Sequence, residues 1–166
     1  DARVARSLLL LPLGKERALD LLRGWKVSRE ELRLASRLFS LPLHGPRRAA
    51  TSRDVATLLR LSSPFEAEST GFLLAAGDSR ARELARAAQS ILRRPATLRR
   101  ILKPTRPLPL AEISSLLGLR EGPDLGRALD AFDLALASSE IRGSRAARAW
   151  LRRLQPPSGA QPPLLK

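Results

Sequence analysis

The chain contains no cysteine, no methionine and no tyrosine, and its single histidine is His44. Without cysteine there is neither a disulfide nor a thiolate metal ligand. One histidine cannot build a zinc site alone. It also leaves one imidazole as a general base, and His44 lies in the Pro–Gly segment 41–46 with no acid nearby in sequence. Long apolar runs are missing too: nothing approaches the roughly 20 residues that a membrane span needs. Residues 2–13 carry Arg3, Arg6 and a short leucine run, a faint likeness to a leader sequence. Pro12 breaks that run and no small-residue cleavage site follows, so it reads as a buried helix end. With no methionine at all, the chain reads as a fragment or a processed form. The expected compartment is the cytoplasm.

Acid is scarce as well. Lys and Arg number 30 against 16 Asp and Glu, a net charge of +14. Four of the basic residues are Lys and 26 are Arg. A guanidinium is a planar fork that matches phosphate and stacks on bases. An excess of this size points to a polyanion, and nucleic acid is the usual one. A GC-rich genome explains Arg over Lys, but not base over acid.

What is abundant is Leu and Ala. At 43% hydrophobic residues, the 166-residue chain has a core to bury, in one ordinary domain or two small helical ones. Few residues are β-branched, so the mix favours helix over strand. The expected fold is all-α: about nine or ten short helices in two sub-units, joined by a Pro- and Arg-rich connector. Residues 1–94 form the first unit, 95–109 the connector, 110–154 the second unit, and 155–166 a disordered tail.

Proline and glycine set the punctuation. A helix over 3–11 stops at Pro12, and one over 15–23 ends at Gly24. Ser28 opens a capping box with Glu31, ahead of a helix that holds Leu32, Leu34, Ala35, Leu38 and Phe39. Ser52 caps a helix in which Val55, Leu58, Leu59 and Leu61 form an apolar face. Pro64 starts another, with Phe65, Phe72, Leu73 and Leu74 as core candidates, and Asp78 and Ser79 cap a long one over 80–92 with Ala81, Leu84, Ala85, Ala88, Ile91 and Leu92 inward. A short helix fits within 97–102. Further helices are expected near 110–117, 123–137 and 144–154.

No catalytic constellation stands out. Glu66 and Glu68 have the spacing of a metal-binding carboxylate pair, but at a helix start such acids favour the dipole. Asp130 and Asp133 read as a solvated face, and no phosphate-binding glycine loop occurs. The candidates that remain are basic. Between Arg80 and Arg106 there are nine basic residues and one acid, Glu83. Arg82, Arg86 and Arg93 share one side of a helix, and Arg94, Arg99, Arg100, Lys103 and Arg106 continue the strip. Arg145, Arg148 and Arg152 form a second cluster. Trp150 reads as core before it reads as a base-stacking platform.

Residues 110–154 carry an ordered set of signals: Leu117-Gly118-Leu119, then Glu121-Gly122-Pro123-Asp124-Leu125-Gly126, Leu129, a helix to Ala137, Glu140-Ile141 and a capped helix from Ser144. Gly118 ends one helix, Gly122 turns the chain, Pro123 starts the next helix and Gly126 allows close packing. This order resembles the C-terminal module of class II bacterial tRNA nucleotidyltransferases and poly(A) polymerases. Upstream, Gly24-Trp25-Lys26-Val27-Ser28-Arg29-Glu30-Glu31 is similar to a phrase in the body of that family. Ala146 and Ala147 depart from it, standing where the pattern has paired acids. The resemblance implies a helical body and tail that hold tRNA or another structured RNA for a catalytic head. The head's Asp-x-Asp pair and the neck's Arg-Arg-Asp segment are missing from this sequence. Magnesium and ATP or CTP would serve the whole enzyme, with no cofactor held by these residues. Two rivals stand: a helical protein-interaction or dimerisation domain, and a DNA-binding helix-turn-helix. The second is weakened because Arg127 faces three acids in its recognition helix.

Overall fold

A computed structural model describes residues 1–45 and 48–154. These residues form ten α-helices and one turn of 3-10 helix, with no strand among them. The chain divides into two compact units, one from Asp1 to Leu102 and the other from Lys103 onward. The stretch 155–166, expected as a disordered tail, lies outside the described residues.

The first unit holds α1 (Ala2–Leu10), α2 (Lys15–Gly24), α3 (Arg29–Leu38), α4 (Ser52–Ser62), α5 (Glu66–Ala76), α6 (Ser79–Leu92) and α7 (Pro95–Leu102), with the 3-10 turn Leu11–Leu13 after α1. Its apolar residues recur at helical spacing, and α4 and α6 bury Val55, Leu58, Leu59, Leu84 and Ala88 while further clusters form beside them. Leu34, Leu38, Phe65 and Phe72 form one, and Leu10, Ala18, Leu19, Leu22 and Ala35 another. Phe39 and Phe72 meet edge to face at 6.5 Å. Phe72 is fully buried, which is worth about 1.5–3 kcal/mol. The leucine run expected as a buried helix end is a half-buried surface helix: α1 buries Ser7 and Leu10 but leaves Leu9 79% exposed.

Local chemistry moves several boundaries. The cap of α4 is Thr51, one residue before Ser52. Thr51 is extended and its hydroxyl accepts from the Asp54 amide, while Asp54 accepts from the Thr51 amide at 2.8 Å. Ser28 does cap α3, accepting from the Glu31 amide at 3.1 Å. The Glu31 carboxylate meets Arg6 at 2.9 Å instead of closing the box. α5 begins at Glu66 rather than Pro64, with Phe65 as its N-cap. α2 runs to Gly24, but the left-handed residue that closes it is Lys26, at φ 53°. The short helix expected within 97–102 of the connector is α7, which starts two residues earlier at Pro95 and packs on α4 and α6 as part of the first unit. Proline suits its first position, where no amide is needed for an internal bond.

The second unit contains α8 (Leu110–Leu117), α9 (Pro123–Ala137) and α10 (Gly143–Leu154). They close around Ile113, Leu117, Phe132, Ala147 and Leu151. Gly118 ends α8 in the left-handed region, at φ 65°, where a side chain would strain the backbone. Gly126 is exposed and has open space where a Cβ would sit, so it does not mediate close packing. Trp150 is half-buried against Phe132, with ring centroids 5.6 Å apart, and so belongs to the core.

Candidate nucleic-acid interface

Helix α6 is fixed at its start by Asp78. The carboxylate accepts from the amides of Ala81 at 2.8 Å and Gly45 at 3.2 Å. Those bonds, from Ala81 first and Gly45 second, hold its pKa below the ordinary value. The Asp78 amide donates in turn to the Leu43 carbonyl at 2.9 Å. Gly45 lies so close to the backbone of Arg80 and Ala81 that a Cβ there would clash. The helix then buries Ala81, Leu84, Ala85 and Ala88. That choice of buried side turns Arg82, Arg86, Gln89 and Arg93 outward, all exposed. At 1.5 Å per residue the three arginines are spaced about 6 and 10 Å apart along the axis. α7 buries Ile101 and exposes Arg99 and Arg100 in its last turn.

The side chains of Arg82, Arg86, Arg93, Arg94, Arg99 and Arg100 make no ion pair or hydrogen bond with a described residue. Arg82 and Arg86, one turn apart, repel each other by a few tenths of a kcal/mol, roughly. Arg93 and Arg94 stand at the start of α7, the positive end of its dipole. Arg93 also caps the C-terminus of α6, and Arg99 and Arg100 lie in the last turn of α7, the negative ends of those dipoles, where a cation is favoured. No acid occurs between Glu83 and Glu112. Residues 1–102 carry 20 basic and 10 acidic residues, an excess of ten, and residues 103–154 carry nine and six. Most of the positive excess thus lies in the first unit.

The remaining candidates separate into two groups. Lys103 is exposed and without a described partner, and it belongs to the second unit, as does Arg106. Arg106 is spoken for: Asp133 accepts from its Nε and Nη2, and that bonding raises its pKa. On α10, Arg145 and Arg152 are exposed and without described partners, while Arg148 donates to Glu112 at 2.6 Å. That bond raises the pKa of Arg148.

Other titratable groups fall into structural pairs. Glu68 meets Arg3 at 3.1 Å in the first turn of α5. His44 Nδ1 lies 3.5 Å from Asp78, an acid distant in sequence, but its side chain is 92% exposed and Asp78 is already occupied as a helix cap. Among the described residues no three His, Asp or Glu side chains group closely enough to hold a metal ion. Nor is any of their helices long and apolar enough to cross a membrane. An apolar groove of about 380 Å³ runs beside Leu41, Pro42, Leu58, Leu61 and Leu84, with Arg37 at its rim.

Comparison of this chain with protein-family profiles, with curated proteins and with solved structures gives no match in any of the three.

Proposed function

We propose that this chain is an RNA-binding, tRNA-positioning helical region of an enzyme resembling the tRNA nucleotidyltransferases and poly(A) polymerases, and that it is itself non-catalytic. The observation that carries this reading is the set of unpartnered arginines on the successive helices α6 and α7. Six exposed arginines there lack a described partner, in a stretch where no acid follows Glu83 until Glu112. A rod of guanidinium groups suits the phosphates of a folded RNA and reads shape rather than base identity. Arg106 and Arg148 are bound to carboxylates and contribute little.

The test is tRNA affinity measured against salt. Log affinity should fall linearly with log salt, at roughly 0.7–0.9 per phosphate neutralised. Changing Arg93, Arg94, Arg99 and Arg100 to Glu should abolish binding at low salt. Unchanged affinity in that variant would remove the strip as the site. The rival reading, a helical protein-interaction domain, has the apolar groove beside Leu58 and Leu84 in its favour. It predicts a concentration-dependent mass and no retention of tRNA.

A further inference from the structure

We infer that Trp25 is a stacking platform for an unpaired base, with Lys26 and Arg29 receiving the flanking phosphates. This deepens the RNA-binding reading and rests on it.

Trp25 is 56% exposed, whereas Trp150 packs on Phe132. It closes α2, donating its backbone amide to the Leu21 carbonyl at 2.9 Å. Leu21, one turn earlier, is 42% exposed, and Arg17 stands a turn before that. One of the protein's two indoles thus lies open at the end of a short apolar strip. Lys26 follows in the left-handed region, a conformation that costs an L-residue free energy. Its amide donates to Arg23 at 3.0 Å, and Val27 donates to Leu22 at 3.4 Å, so the turn is fixed by backbone bonds.

The rim decides the occupant. Arg17, Lys26 and Arg29 are exposed and have no described partner. Two of the acids nearby are occupied: Asp20 by Arg23 at 2.6 Å and Glu30 by Arg3 at 3.3 Å. Glu16 lies in the first turn of α2, where it faces the positive end of the dipole. An apolar protein face would cover the indole and leave three cations unmatched. A single nucleic-acid strand supplies a π-face and phosphates together. A duplex, whose bases are already stacked, has no free face to offer.

Trp150→Phe leaves Trp25 as the one indole, so its emission reports this site alone. We expect hexacytidylate RNA to quench that emission. Trp25→Leu should weaken hexacytidylate binding about 5- to 100-fold, with partial recovery in Trp25→Phe. Affinity for a 12-base-pair RNA duplex should move less than about twofold. The inference is overturned if RNA binds without changing Trp25 emission. It is equally overturned if Trp25→Leu binds hexacytidylate normally, or if the emission shifts with protein concentration in the absence of RNA. Failure of the wild-type protein to bind any RNA at low salt is a different result and removes the RNA-binding reading itself.

Discussion

Arg106 and Asp133 form a two-pronged ion pair across 27 residues, with Nε and Nη2 each 2.8 Å from a carboxylate oxygen. The pair ties the chain ahead of α8 to the flank of α9. Its geometry is that of the stronger charge-assisted hydrogen bonds. The Arg106 side chain is 34% exposed, which limits the gain. Replacing Arg106 with Ala should lower the stability of the second unit by about 0.5–1 kcal/mol, read by chemical denaturation. Affinity for tRNA should stay within about twofold, because this guanidinium is not available to phosphate. A large loss of affinity with unchanged stability would reassign Arg106 to the RNA surface.

Two helix caps tie stability to acid. For Asp54, burial opposes ionisation, but hydrogen bonds from Thr51 and Arg48 outweigh it and the pKa is lowered. Asp78 is lowered by the Ala81 and Gly45 amides. A carboxylate with a depressed folded pKa stabilises fully above its unfolded value, near 4, and loses that contribution as pH falls through the folded value. The melting temperature of the first unit should therefore drop below about pH 4. Thr51→Ala should cost about 1 kcal/mol at neutral pH. It should also flatten the acid limb, because Asp54 loses its hydroxyl partner. An acid limb unaltered in a Thr51→Ala, Asp78→Asn double variant would refute this assignment.

Ser139 sits in the left-handed region at φ 63°, just past the end of α9. Glycine takes that conformation without a Cβ penalty, at the expense of a looser unfolded chain. Ser139→Gly should raise stability by about 0.5–1 kcal/mol. Ser139→Val should lower it, since a β-branched residue tolerates this region poorly. Paired melting curves settle the sign.

Phe132 is fully buried in the second unit and supports Trp150. Phe132→Ala should cost about 3–5 kcal/mol. For a unit with three helices that approaches the whole stability. The first unit has its own clusters and should remain folded. The expected result is therefore two separated thermal transitions. A single transition at lower temperature would show that the two units melt together.

The helices were legible in the sequence because proline and glycine punctuate runs of Leu and Ala at a 3.6-residue period. The caps at Ser28 and Asp78, the inward side of α6 and the glycine stop at Gly118 all follow from local chemistry. Thr51 escaped because Ser52, beside it, is an equally good capping residue, and only backbone conformation decides between them. Lys26 escaped because a left-handed lysine has no signal in sequence while Gly24 offers an obvious one. The boundary at Leu102 escaped because the prolines around α7 resemble a linker, whereas Pro95 takes the first turn of a helix that packs on α4 and α6. Within the basic strip, the sequence shows which residues share a side of a helix. It cannot show that Arg106 and Arg148 are neutralised, because their partners lie 27 and 36 residues away.

Leu43 and Gly45 grip the first turn of α6, and small buried side chains let it lie close against its neighbours. The arginine-bearing helix is therefore held at its start by contacts that need no bound anion. If the proposed RNA binds there, the cost of ordering should fall mainly on the side chains. The heat capacity change on binding should then be small, unlike that of a basic segment that folds around its ligand.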